Sequence, residues 1–125
     1  MSPELVDLLR PSIRISWVGA PRLLPRVLRS GEIAYAISKG AIHQATGTLA
    51  DAVAARGITV NTINPGPTDT GYASLAVRDT VTQRMPSGRW GQPRDAARAI
   101  GWLCTDDASW ITGQVINSEG GFRRQ

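Results

Sequence analysis

Apolar residues recur with a helical period in one segment and give way to a β-branched run directly after it. Residues 34–56 carry the clearer pattern, and their many alanines favour a helix. The predicted packing stripe of this helix, spaced by three and four residues, is Ile42, Ala45, Leu49 and Val53. Gly57 follows as a helix stop, and the β-branched residues 58–63 predict a strand.

Weaker patterns predict the remaining elements. The predicted segments are a helix at 3–10, a strand at 13–15, a loop at 18–32, a polar helix at 73–84, a helix at 94–104 and a buried strand at 114–117. Strands therefore alternate with helices of ten residues or more, which indicates an α/β fold with a parallel sheet. Ligands of such sheets bind beyond the carboxyl ends of the strands, where the loop at 64–70 is expected to lie.

Composition limits the class of protein. At 125 residues the chain is one domain, and 42% hydrophobic with 19% charged residues is typical of a globular protein. No stretch approaches about 18 apolar residues, and the first residues carry two acids without a long apolar run. We therefore expect no membrane partner and no signal peptide. The net charge of +4 comes from scattered arginines without interleaved aromatics, which argues against a nucleic-acid partner.

The single cysteine and the single histidine predict little chemistry. Cys104 excludes an internal disulfide, lies in an apolar run and is expected to be buried filler. Its isolation fits a reducing compartment, and we expect a cytoplasmic protein. His43 is interpreted as a packing or surface residue, and no metal site is expected. Core or interface positions are expected for Trp90, Trp102 and Trp110.

A tyrosine and the only lysine of the chain stand four residues apart, as Tyr35 and Lys39. On a helix the two side chains share a face. A nearby positive charge favours the phenolate and moves a phenol toward a pKa useful for proton transfer. Tyr-x-x-x-Lys also occurs by chance on ordinary helix surfaces. The catalytic interpretation gains support because this helix follows the first strand and therefore faces the same crevice as the loop at 64–70.

Four blocks then resemble the short-chain dehydrogenase/reductase family, in order and at suitable spacing. The blocks are Tyr35–Ala41, Gly57–Thr70, Gly88–Ala97 and Ile111–Gly121. The similarity spans about residues 31–122 and is greatest to bacterial 3-oxoacyl-[acyl-carrier-protein] reductase-like members. It implies a single partial domain, 1–125, whose first segment, 1–30, is divergent and whose residues 31–122 are family-like. The implied fold is the C-terminal part of a Rossmann-like doubly wound parallel sheet with about three strands.

The resemblance also implies roles for six residues toward NADP or NAD and a small carbonyl substrate. Tyr35 would be the general acid or base, and Lys39 would lower its pKa and bind the nicotinamide ribose. Pro65 and Gly66 would form a wall against the nicotinamide, while the Thr68 backbone and the Thr70 hydroxyl would approach the cofactor. Two plainer explanations stay open: Pro65 and Gly66 simply end a strand, or Thr70 caps the next helix.

The chain departs from the family pattern upstream of Tyr35. The family's serine, about thirteen residues before the tyrosine, is replaced by Arg22, and neither Ser16 nor Ser30 has the right spacing. The unusual composition of residues 17–29 suggests a shifted reading frame, which the nucleotide sequence would decide.

The 125 residues also contain no Gly-x-x-x-Gly-x-Gly or Gly-x-Gly-x-x-Gly turn to bind a pyrophosphate. We therefore expect weak dinucleotide affinity and little activity from the truncated, isolated chain. The alternative function is a catalytically inactive fragment or a subunit that pairs with a full-length relative; homo-oligomers are the other expected assembly.

Overall fold

The computed structural model describes the backbone of residues 14–18 and all of residues 33–122. Within these residues the sheet has three parallel strands, β1 (Arg14–Val18), β2 (Thr59–Asn64) and β3 (Val115–Asn117), with β2 in the centre. The α/β prediction with a three-stranded parallel sheet is confirmed. The predicted helix at 3–10 and residues 19–32 of the predicted loop lie outside the described residues.

In the part of the chain that the structure describes, three α-helices connect and cover these strands, and short 3₁₀ turns follow two of them. They are α1 (Ile33–Val53), followed by the turn Ala54–Arg56; α2 (Leu75–Arg84); and α3 (Pro93–Leu103), followed by the turn Asp106–Ala108. Each boundary lies within three residues of the sequence prediction. The chain order β1, α1, β2, α2, α3, β3 leaves the loop after β2 at the carboxyl edge of the sheet.

Alternate residues of β2 face two different helices. Val60 is fully buried against Ala50 of α1, whereas Ile63 is fully buried against Leu103 of α3. Burial of each such aliphatic side chain contributes about 1.5–3 kcal/mol. Because side chains of a strand alternate between faces, one central strand joins the α1 layer to the α3 layer.

The ends of the helices follow their local chemistry. The 3₁₀ turn after α1 stops at Gly57, whose φ of 69° is left-handed and whose N–H donates to the Ala54 carbonyl at 2.9 Å. Ser74, and not Thr70, precedes α2 and accepts a long hydrogen bond of 3.5 Å from the Val77 N–H. This removes helix capping as an explanation for Thr70.

The predicted packing stripe of α1 is confirmed at Val53, which packs against Ala50 and Val60, and is wrong at Leu49. The residues of α1 that are buried against β2 are Thr46 and Ala50, whereas Leu49 is 42% exposed. A hydrogen bond of 2.7 Å between the Thr46 and Thr62 hydroxyls explains the difference, because paired hydroxyls can be buried without a large cost. A count of apolar residues does not detect threonines that pack in this way.

The cysteine prediction is also wrong, since Cys104 is exposed at the position just after α3. Among the tryptophans, Trp90 is buried and its Nε1 donates to the Arg78 carbonyl at 3.0 Å. Trp102 and Trp110 are exposed, so neither belongs to the core of the described chain.

Candidate active site

The stripe of α1 that packs on β2 continues toward the start of the helix and carries the predicted catalytic pair. Thr46 and Ala50 are 1% and 2% exposed, Lys39 is half-buried and Tyr35 is 52% exposed. Spacings of three and four residues from Tyr35 to Ala50 keep these side chains on one helical face. The face is therefore covered by the sheet at one end and open at the other.

The helix runs antiparallel to β2, because Thr46 contacts Thr62 and Ala50 packs on Val60. Lys39 lies seven residues before Thr46, which is about 10 Å along a helix. Pro65 lies three residues after Thr62, which is also about 10 Å along a strand. Lys39 is therefore level with the loop that leaves β2, and Tyr35 lies one helical turn beyond it.

Tyr35 and Lys39 are neighbours in the folded chain. The Lys39 Nζ lies 5.8 Å from the centroid of the Tyr35 ring, within the range of a cation–π contact. The Ser38 hydroxyl, which lies between them in sequence, donates to the Tyr35 carbonyl at 2.8 Å and stays within the helix. The structure thus brings the predicted pair together at the open end of the stripe.

The loop after β2 is fixed by its own hydrogen bonds. Gly66 has a φ of 61°, and its N–H donates to the Asn64 side-chain oxygen at 3.1 Å. The Thr68 hydroxyl donates to the carbonyls of Pro65 and Gly66 at 3.4 and 3.3 Å. These hydrogen bonds connect Thr68 to Pro65 and Gly66 within the loop. Thr70 is exposed and hydrogen-bonds to none of these residues.

A second segment supports the far side of this loop. Gly91 donates its N–H to the Pro67 carbonyl at 2.9 Å, and its own carbonyl accepts from the Asp69 N–H at 2.8 Å. Asp69 in turn forms an ion pair with Arg78 of α2. The segment around Gly91 therefore pairs with the loop through an isolated parallel β-bridge.

An ion pair orders the entry of α3 beside this bridge. Arg89 donates to the Asp95 carboxylate at 2.8 Å, and the Gln92 N–H donates to the same oxygen at 2.8 Å. The Arg89 hydrogen bond, followed by that from Gln92, lowers the pKa of Asp95 from 3.8 to about 2.

A cleft of about 300 Å³ lies next to the loop but contains none of the six predicted site residues. It is bordered by the segment after α2, which includes Gly91, by the start of α3, and by the end of β3 with the residues that follow it, which include Asn117 and Glu119. Gly91 and Glu119 also contact the loop after β2, so the cleft and the loop share a wall.

Two site-supporting residues were missed by the sequence analysis, Asn64 and Glu119. Asn64 is 1% exposed at the end of β2, and its amide nitrogen donates to Asn117 and Glu119 at 2.9 Å each. A polar residue at the last position of a buried strand was the available signal. Its partners are more than fifty residues away, which no local pattern reveals.

The described part of the chain contains neither a candidate metal site nor a helix that could span a membrane. No group of three or more histidine, cysteine, aspartate or glutamate side chains there could hold a metal ion. Residues 33–122 and 14–18 include no helix that is long and apolar enough to cross a membrane. His43 is exposed on α1.

Comparison with known proteins gives a consistent family. The family model described as enoyl-(acyl carrier protein) reductase matches residues 13–123. The uncharacterised oxidoreductase YjdA of Bacillus subtilis is 52% identical over 94 residues, which cover 75% of this chain and 38% of YjdA. The 3-oxoacyl-[acyl-carrier-protein] reductase FabG of Thermotoga maritima is 38% identical over 95 residues, which cover 74% and 39%.

Solved structures agree. The angucycline C-6 ketoreductase LanV with bound NADP superposes with a TM-score of 0.78 at 33% identity, over 95% of this chain and 47% of LanV. A short-chain dehydrogenase/reductase from Serratia marcescens gives a TM-score of 0.78 at 32% identity, over 95% and 49%. The chain spans about two fifths of the length of the curated relatives it matches and, as its four sequence blocks predict, it belongs to the short-chain dehydrogenase/reductase family.

Proposed function

We propose that this chain carries the proton-transfer and nicotinamide-facing part of an NAD(P)-dependent carbonyl reductase. One observation carries the proposal: the packing stripe of α1 extends past the end of β2, with Lys39 about level with the loop that leaves that strand and Tyr35 beside it, one helical turn further on. FabG is named as a ketoacyl reductase, and LanV is named as a ketoreductase with bound NADP. Those names support a carbonyl substrate and NADP or NAD as cofactor.

The residues at this edge fit the nicotinamide end of such a cofactor. Among the described residues, the backbone N–H groups of Thr68 and Thr70 and the Thr70 hydroxyl have no hydrogen-bond partner. The Lys39 ammonium contacts the Tyr35 ring and forms no ion pair there. Uncommitted donors of this kind suit a carboxamide and a ribose, so Lys39, Thr68 and Thr70 would hold this part of the cofactor.

When bound, the reduced cofactor would supply the hydride that adds to the carbonyl carbon of the substrate. The Tyr35 hydroxyl gives its proton to the carbonyl oxygen, which becomes the hydroxyl of the product. In the reverse direction the phenolate of Tyr35 accepts that proton. The neighbouring Lys39 charge stabilises the phenolate, and Pro65 and Gly66 limit the space available to the nicotinamide.

Replacement of the phenol tests this proposal, because the chain offers a matched control. Its two tyrosines are Tyr35 and Tyr72, and Tyr72 is 75% exposed on the loop before α2. NADPH consumption is measured with a short 3-ketoacyl thioester. Tyr35→Phe should lower the rate about 10²–10⁴-fold, and Tyr72→Phe should leave it unchanged. If the parent chain consumes NADPH, equal rates for the two variants would exclude Tyr35 as the proton donor. A parent chain without NADPH consumption would favour the second candidate below.

The second candidate is a non-catalytic subunit that pairs with a full-length relative. It is favoured by three large apolar side chains that α1 exposes: Ile33, Ile37 and Leu49 are 53%, 67% and 42% exposed. The same observation suits a homo-oligomer.

Co-purification separates the two candidates. A tagged chain is expressed together with a full-length FabG-type relative, and Leu49→Arg is the interface variant. A non-catalytic subunit should co-purify, lose its partner on Leu49→Arg, and leave the turnover of the complex unchanged on Tyr35→Phe. Turnover that depends on Tyr35 in the complex would instead show that this chain contributes the proton donor.

A further inference from the structure

The side-chain amide of Asn64 is fully used where β2 ends. Its nitrogen donates to the Asn117 side-chain oxygen and to the Glu119 carboxylate, each at 2.9 Å. Its oxygen accepts from the Gly66 N–H at 3.1 Å, which closes a turn over the next two residues. Asn64 is 1% exposed, so water cannot replace these partners if one is lost.

Glu119 holds the same loop in a second way. A Cβ atom placed on Gly66 would lie 2.5 Å from the Glu119 Cβ and 3.1 Å from its Cα. The Glu119 main chain therefore packs directly on Gly66, while its carboxylate anchors the Asn64 amide. Together these contacts fix the backbone of Gly66 from the side of β3.

We infer that Asn64 and Glu119 are positioning residues, which hold the Pro65–Thr68 segment in the conformation that faces the nicotinamide. The inference rests on the proposed function for the orientation of that segment toward a cofactor. Neither residue is assigned contact with substrate. Asn64 acts through the Gly66 N–H, and Glu119 acts through both Asn64 and the Gly66 main chain.

Near-isosteric variants separate positioning from simple stabilisation. Asn64→Leu removes the amide, and Glu119→Met removes the acceptor while keeping the Cβ against Gly66. Glu119→Gln is the conservative control, because its side-chain oxygen can accept the same hydrogen bond. In the double variant Asn64→Leu/Glu119→Met the buried amide and its partner are both absent, so no unpaired donor remains from this pair.

The first readout is the hydrogen-exchange rate of the Gly66 amide, measured by NMR on the full 125-residue chain. Asn64→Leu should accelerate exchange at least about fivefold, and Glu119→Gln should stay within about threefold of the parent. The double variant should lose less of the urea midpoint than the sum of the two single losses, because no Asn64 donor is left unpaired, yet it should keep the fast exchange at Gly66. An unchanged Gly66 exchange rate in Asn64→Leu would overturn the inference.

The second readout is the Kd for NADPH, from tryptophan fluorescence. Asn64→Leu and the double variant should both weaken binding about tenfold, so that the Kd follows the exchange rate of Gly66 and not the urea midpoint. A Kd that follows the urea midpoint across the variants, and not the exchange rate of Gly66, would show a merely structural role. If the parent chain does not bind NADPH, the proposed function fails, and the exchange data alone then decide whether Asn64 and Glu119 fix the loop.

Discussion

Replacement of Gly66 by alanine measures how closely the loop after β2 is packed against the residue that follows β3. The φ of 61° costs an L-residue about 1–2 kcal/mol. The new Cβ would lie 2.5 Å from the Glu119 Cβ, although carbon atoms pack at about 3.5–4 Å, so the loop or Glu119 must move by about 1 Å. Such overpacking costs about 1–3 kcal/mol. We therefore expect Gly66→Ala to lower the free energy of unfolding by about 2–5 kcal/mol.

Gly57 provides the control, because it shares the backbone conformation but not the contact. Its φ is 69°, and a Cβ placed there would meet no atom within 4 Å. Gly57→Ala should therefore cost only the backbone term of about 1–2 kcal/mol. The entropy that alanine removes from the unfolded chain is the same for both variants and cancels in the comparison.

Urea denaturation followed by tryptophan fluorescence measures the difference, and the buried Trp90 serves as the reporter. With a slope of about 2 kcal/mol per molar urea, a gap of about 2 kcal/mol separates the two midpoints by about 1 M. If Gly66→Ala and Gly57→Ala shift the midpoint equally, the close contact between Gly66 and Glu119 does not exist in solution, and only the Asn64 side chain then holds the Gly66 backbone.

Two further predictions concern polar groups away from this loop. The Thr46 hydroxyl donates to the Ile42 carbonyl, which leaves Thr62 as the donor in the buried hydroxyl pair. Thr46→Val should therefore cost about 1–3 kcal/mol in urea denaturation by leaving the Thr62 hydroxyl unpaired, whereas Thr62→Val should cost about 1 kcal/mol; the reverse order would contradict this assignment. The lowered pKa of Asp95, about 2 against 3.8, gives a stability contribution that is present above about pH 4 and lost as the pH falls through about 2. Asp95→Asn should reduce the pH dependence of the thermal unfolding midpoint between about pH 4 and 2. If this pH dependence is the same in the variant and the parent, the pairing of Asp95 with Arg89 is absent in solution.

The sequence was sufficient for the elements whose patterns are local. The β-branched run before Asn64 and the alanine-rich segment ending at Gly57 are strand and helix as predicted, because propensity and packing agree there. Side-chain exposure was less predictable. Thr46 is buried through a hydroxyl partner from another element, and Cys104 is exposed because α3 ends one residue before it.

The candidate site divides in the same way. The spacing of Tyr35 and Lys39 is a local property of one helix, and the structure confirms that the two side chains are neighbours. Their roles toward a cofactor remain proposals. The support given by Asn64 and Glu119 depends on the pairing of β2 with β3, so it follows from the tertiary fold and not from any window of sequence.

The pairing of Asn64 with Glu119 has a consequence for how the protein is made. The two residues are separated by 55 positions, and at about 5–20 residues per second a ribosome adds that length in about 3–11 seconds. During this interval the end of β2 has been synthesised but lacks the carboxylate that will anchor it. We therefore expect the loop after β2 to acquire its final conformation only after β1, α1 and β2 can already associate.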